Sequence, residues 1–103
     1  MKPLKITLAC AGGLSTSILC NKLIAEGAKY DYEVTCNAYG TSALTPEIVE
    51  GSAVILLGPQ VCYMEDDVKK KFPEYQVRLM SMMDYGTMNA AKIFKELKEE
   101  FNW

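Results

Sequence analysis

The stretch Ala53-Val54-Ile55-Leu56-Leu57 is an unbroken apolar run between Ser52 and Gly58. A strand with one face in water alternates apolar and polar side chains; a strand covered on both faces does not. This run is short and partly β-branched, so it predicts a central parallel strand rather than a helix. Parallel neighbours cannot be joined by tight turns. They need crossovers of about a dozen residues or more, usually helical. The rest of the chain supplies them. Strands are predicted at Leu4–Ala9, Glu33–Ala38 and Gln76–Ser81. A first helix is predicted over Thr16–Ala28, with Leu19, Leu23, Cys20 and Ile24 at i, i+4 spacing and Gly27 near its end. A short second helix follows Thr45 as N-cap, with Pro46 at its first position and Gly51 past its end. A third is predicted over Val61–Phe72, with Val61, Met64, Val68 and Phe72 on one face and Pro73 as its stop. The last is predicted over Thr87–Phe101, with Ala90, Phe94, Leu97 and Phe101 inward and Lys92, Lys95, Lys98 and Glu99 outward.

Right-handed crossovers then give an α/β fold: a four-stranded parallel sheet in the order 2-1-3-4, with helices on both faces. In such sheets ligands bind beyond the carboxyl ends of the strands, beside the first strand. Four loops lie there: after Ala9, after Ala38, at Gly58-Pro59-Gln60 and at Asp84-Tyr85-Gly86.

Composition narrows the function. The chain has 103 residues, the size of one domain, expected here over residues 1–103. Half of the residues are apolar and 23% are charged, as in globular proteins. No apolar run approaches the roughly 20 residues of a membrane-spanning helix. The opening stretch Met1 to Cys10 is interrupted by Lys5 and Thr7 and reads as a strand, not a signal peptide. Eleven basic against 13 acidic residues leave a net charge of −2, which gives no support for nucleic-acid binding. The absence of histidine excludes histidine-based acid–base catalysis by this chain alone and removes the commonest zinc ligand. The four cysteines, Cys10, Cys20, Cys36 and Cys62, form no Cys-x-x-Cys pair. They are expected to be free thiols in a reducing cytoplasm, each by default a small buried apolar group.

One of these cysteines stands apart. Cys10-Ala11-Gly12-Gly13-Leu14-Ser15-Thr16-Ser17 leaves the first strand and enters the first helix. The two glycines allow successive N–H groups to curl inward, and a helix N-terminus follows; together these make an anion site. Ser15, Thr16 and Ser17 add hydroxyl donors. The field that holds a phosphate also favours a nucleophilic thiolate at Cys10. A thiolate beside an anion cradle is equipped to accept a phosphoryl group. A plain strand-to-helix turn, with Ser15 as cap and Cys10 in the core, would also account for the loop. No Gly-x-x-x-x-Gly-Lys-Ser/Thr and no Gly-x-Gly-x-x-Gly occurs, so neither a nucleoside-triphosphatase loop nor a dinucleotide site is indicated. Cysteine phosphatases carry Cys-x5-Arg, and here that arginine position is Thr16. The sole arginine, Arg78, falls in the fourth strand. Without a guanidinium the loop suits carrying a phosphoryl group better than hydrolysing it.

The cysteine loop, together with Val54-Ile55-Leu56-Leu57-Gly58-Pro59-Gln60-Val61-Cys62-Tyr63-Met64 and Asp84-Tyr85-Gly86, resembles enzyme IIB of the bacterial phosphoenolpyruvate-dependent sugar phosphotransferase system, lactose/cellobiose/diacetylchitobiose type. The resemblance extends over nearly the whole chain. Gly12 departs from it, standing where alanine is common. It implies a flavodoxin-like sheet, comparable to that of the low-molecular-weight phosphatases. It implies that Cys10 takes a phosphoryl group from a phosphohistidine of enzyme IIA and passes it to a sugar held by the membrane component IIC. Ala11, Gly12, Gly13, Leu14, Ser15, Thr16 and Ser17 would then bind the phosphate. No cofactor, metal or nucleic acid is expected, and the chain is expected to be a cytoplasmic monomer that meets the membrane through IIC. A small cysteine-dependent phosphatase, a thiol reductase and an anion-sensing module remain as alternatives. Among the other residues, Gly58-Pro59-Gln60 either lines the site or simply ends its strand. Asp84 and Tyr85 either flank the phosphate or, the favoured reading, serve in a turn, with Asp84 directed away from the phosphate. Lys22 and Lys29 are expected in solvent, and Met80, Met82, Met83 and Met88 mostly in the core, with part of the group open to a docking role.

Overall fold

Strands Lys2–Cys10 (β1), Tyr32–Gly40 (β2), Ser52–Leu57 (β3) and Val77–Leu79 (β4) lie parallel in one sheet, in the order β2-β1-β3-β4. The structure is a computed structural model. It describes residues 2–10 and 14–103, with Leu14 and Ser15 described by their backbone alone. The helices are Leu14–Lys29 (α1), Pro46–Val49 (α2), Glu65–Lys71 (α3), Met82–Gly86 (α4) and Ala90–Phe101 (α5), with 3-10 segments at Thr41–Ala43 and Pro59–Met64.

Successive side chains of a strand point to opposite faces. Ile6 and Leu8 of β1 and Val54 and Leu56 of β3 therefore join one buried cluster, with Leu19 and Leu23 of α1 and Ile93, Phe94 and Leu97 of α5. Ala9, Ile55 and Leu57 join the other, with Val49 of α2, Val61, and Val68 of α3. The sheet is thus covered on both faces, as the apolar run at residues 53–57 requires. Lys5 Nζ donates to the carbonyls of Ile48 and Glu50 at 2.8 and 2.7 Å, answering acceptors left open at the end of α2.

The strand order agrees with the sequence reading; the short helix α4 was not expected, and the larger differences in extent fall at three boundaries. The predicted third helix is divided. Val61 has φ −117° and ψ 26°, which interrupts the turn, and the regular helix starts at Glu65. Glu65, Asp66 and Asp67 fill its first turn and Lys69, Lys70 and Lys71 its last, so the charges match the helix dipole over this shorter span. The predicted last helix starts late. Met88 has φ 51°, and the Asn89 side chain caps α5 by accepting from the Lys92 N–H. The predicted fourth strand, Gln76–Ser81, shortens because the Ser81 hydroxyl accepts from the Asp84 N–H and starts α4.

Gly27 lies inside the last turn of α1. A Cβ there would overlap Val34 Cγ2 and stand 3.5 Å from Phe94 Cε2. Glycine lets α1 approach β2 closely. At the far end Asn102 ends α5 in the left-handed conformation, and Trp103 folds back among Tyr32, Phe94 and Phe101.

Candidate functional site at the end of the first strand

Cys10 is the last residue of β1 and is 2% exposed. β1 is hydrogen-bonded on one side to β2 and on the other to β3, with Cys10 opposite Gly40 and Ala9 opposite Leu57. α1 covers one face of the sheet and α2 the other. The carboxyl end of β1 is therefore the point where successive crossovers part to opposite faces, the usual place for a ligand crevice.

The Gly58 N–H donates to the Ala9 carbonyl at 2.8 Å, carrying the chain past the end of β1. A Cβ at Gly58 would stand 3.3 Å from Cys10 Cβ and 2.8 Å from Gln60 Oε1. The glycine that ends β3 thus also stands beside the cysteine.

Thr16, in the first turn of α1, is fully buried. Its Oγ1 lies 2.9 Å from Cys10 Sγ and 2.9 Å from the Tyr85 hydroxyl. Three groups from β1, α1 and α4 therefore form one hydrogen-bonded series. When Tyr85 donates to Thr16 and Thr16 donates to sulfur, the series presents an O–H to a thiolate, a charge-assisted bond. The reverse direction suits a neutral thiol, so the series can follow the sulfur between the two states. The N-terminus of the 16-residue helix α1 lies beside it, with no acidic side chain in the first turn.

Tyr85 corrects the sequence reading: it belongs to a helix, not a turn, and its hydroxyl joins the cysteine cluster. Asp84 lies in the same helix, and its buried carboxylate pairs with Lys92 Nζ at 3.2 Å. That pairing draws it toward α5. The sequence signal for both was the Ser81-x-x-Asp84 cap, which marks a helix start. Of the other predicted phosphate-binding residues, Ser17 is exposed in α1. Leu14 and Ser15 begin that helix, and Ala11, Gly12 and Gly13 lie outside the described residues. Arg78 is held elsewhere, its Nε 2.8 Å from Glu100 Oε2 and its guanidinium over Phe101. Lys22 and Lys29 are exposed, and Lys29 pairs with Glu26.

All four cysteines are free thiols; Cys10, Cys20 and Cys36 are buried, but Cys62 is exposed. Cys62 follows the apolar strand in a 3-10 segment at the surface, where only Val61 of that segment turns inward. The methionines divide likewise. Met80 is buried and Met88 half-buried, whereas Met82 and Met83 are 78% and 75% exposed, contrary to a core role. Met82 lines a concavity of about 360 Å³ with Pro59, Gln60, Tyr85 and Gly86. Among the described residues no cluster of ligating side chains could hold a metal ion, and no helix is long and apolar enough to cross a membrane.

Known proteins share this architecture. The chain is 34% identical over 110 aligned positions to the galactose-specific EIIB component of Lactococcus lactis subsp. cremoris (strain MG1363), covering 94% of this chain and 95% of that one. It is 31% identical over 94 positions to the oligo-beta-mannoside-specific EIIB component of Bacillus subtilis (strain 168), covering 89% and 90%. The lactose-specific IIB domain of Streptococcus pneumoniae superposes with a TM-score of 0.80 at 22% identity, over 95% of this chain and 97% of that domain. The cellobiose-specific IIB component of Borrelia burgdorferi superposes with a TM-score of 0.73 at 27% identity, over 97% and 93%. Residues 5–96 match the family model described as PTS system, Lactose/Cellobiose specific IIB subunit, and the chain belongs to that family of sugar phosphotransferase components.

Proposed function

We propose that this chain is a phosphoryl carrier whose Cys10 receives a phosphoryl group from a phosphohistidine of enzyme IIA and delivers it to a sugar bound by the membrane component IIC. The observation that carries the reading is the Cys10–Thr16–Tyr85 series at the end of β1. In the first step the Cys10 sulfur attacks phosphorus, the P–N bond breaks and its electron pair returns to the donor imidazole. In the second a sugar hydroxyl oxygen attacks phosphorus, the P–S bond breaks and the thiolate reforms; the hydroxyl proton goes to a base outside this chain. Thr16 holds the sulfur in place, and Tyr85 fixes Thr16. The proposed cradle comprises Ala11, Gly12, Gly13, Leu14, Ser15, Thr16 and Ser17, on the sequence grounds given above. The donor histidine belongs to the partner, which agrees with a chain that has none. The sequence resemblance suggests a β-linked disaccharide such as cellobiose, diacetylchitobiose or lactose; among the relatives, the names specify cellobiose, lactose, galactose and oligo-beta-mannosides. The chain would act in the cytoplasm and at the inner membrane face through IIC.

The test is the intact mass after incubation with phosphoenolpyruvate, enzyme I, the histidine phosphocarrier and a cognate IIA. One added phosphoryl group is expected on the wild type and on Cys62→Ser, dependent on IIA, and none on Cys10→Ser. No addition to the wild type, with IIA shown to be phosphorylated, would overturn the proposal. Turnover of an aryl phosphate that vanishes in Cys10→Ser would indicate a phosphatase instead.

A further inference from the structure

Cys20 and Cys36 take no part in that transfer, yet they face each other across the seam between α1 and β2. Each thiol is the group that acts most strongly on the other. Both belong to the buried cluster under α1, at 4% and 7% exposure. Both also line an open groove of about 240 Å³ with Ser17, Asn21, Asn37 and Ala38, so a small polar reagent can reach them. Apolar packing alone explains a buried cysteine; it does not explain two that meet beneath a polar groove. Their environments also differ. Contact with Cys36 holds the Cys20 thiol below its ordinary range, while the same contact and burial push Cys36 up. Neighbouring thiols ionise in sequence: once one has lost its proton the other holds its own more tightly, so the pair offers one thiolate to attack and one thiol to follow.

We propose that Cys20 and Cys36 form a reversible redox site, an internal dithiol that hydrogen peroxide converts to a disulfide. The Cys20 thiolate attacks one peroxide oxygen and the O–O bond breaks. The departing hydroxide takes a proton and leaves as water, and Cys20 becomes a sulfenic acid. The Cys36 sulfur then attacks the Cys20 sulfur. The S–O bond breaks, and its hydroxide leaves as water with the proton from Cys36. The two sulfurs together give up two electrons to one peroxide. A dithiol reductant returns them by exchange. The site stands independently of the transfer reading, because its test counts thiols and not phosphoryl groups.

The full-length chain would be treated with graded hydrogen peroxide, its remaining thiols capped with iodoacetamide, and the product digested with chymotrypsin without reduction. Cuts after Leu8, Leu14, Leu19, Tyr32, Tyr39 and Leu57 place each cysteine on its own peptide. The expected result is a linked pair of peptides containing Cys20 and Cys36. Cappable thiols should fall from four to two, and dithiothreitol should restore them. Cys62→Ser should keep the link; Cys20→Ser and Cys36→Ser should lose it, with folding checked by circular dichroism. The wild-type digest decides the matter even if those two variants fold poorly. Oxidation confined to Cys10 or Cys62, a link joining other cysteines, or a Cys20–Cys36 link that forms only in urea would overturn the proposal.

Discussion

At Cys10 the sulfur meets Thr16 directly and Tyr85 at one remove, and the two hydroxyls are not equivalent. Thr16→Val removes a hydrogen bond to a group that carries charge in the proposed transfer, a loss of about 1.5–3 kcal/mol, or about 10- to 150-fold in the rate of phosphoryl acceptance. Tyr85→Phe removes a bond between two neutral hydroxyls and should slow acceptance by about 2- to 10-fold. Rapid-quench kinetics from purified phospho-IIA would resolve the order; equal losses, or a larger loss at Tyr85, would contradict a series that ends on sulfur. Cys10 and Thr16 were legible in the sequence because they are six positions apart in one loop-to-helix passage. Tyr85 was legible as part of a motif but not as a partner of Thr16. The two are 69 positions apart, and packing alone brings them together.

The elements show a similar division between local and distant causes. The Thr45 cap, Pro46 and the left-handed Gly51 (φ 79°) lie where turn chemistry places them, since each acts on its immediate neighbours. The breaks at Val61 and Met88 were missed because apolar spacing continues across both; only backbone angles reveal them. Asn89 was a readable cap, and Asn89→Ala should cost about 1 kcal/mol in urea unfolding. Gly27 was read as a helix-end signal, whereas its reason is the contact with Val34 across the α1–β2 seam. Gly27→Ala should therefore cost about 1–3 kcal/mol despite alanine's better helix propensity. Gly86→Ala, where a Cβ meets nothing within 4 Å, is the control expected to stay near neutral in the same urea series.

For the molecule as a whole, Cys10 is buried while the ground beside it is apolar and open. Met82, 78% exposed next to Tyr85 and Pro59, can adapt to a partner's surface. If IIA docks there, Met82→Lys should weaken binding by about 10-fold, ~1.4 kcal/mol, in calorimetric titration while leaving the melting temperature unchanged. The strand order also bears on how the chain comes off the ribosome. β1 is made first but sits inside the sheet, between β2 and β3. Its second neighbour is not complete until Leu57 has been synthesised. Until then the first strand has one edge unpaired and Ile6 and Leu8 incompletely covered. The nascent chain must hold a half-made sheet, β1 paired with β2 alone, from Gly40 until Leu57, a period in which chaperone contact or mispairing competes with folding.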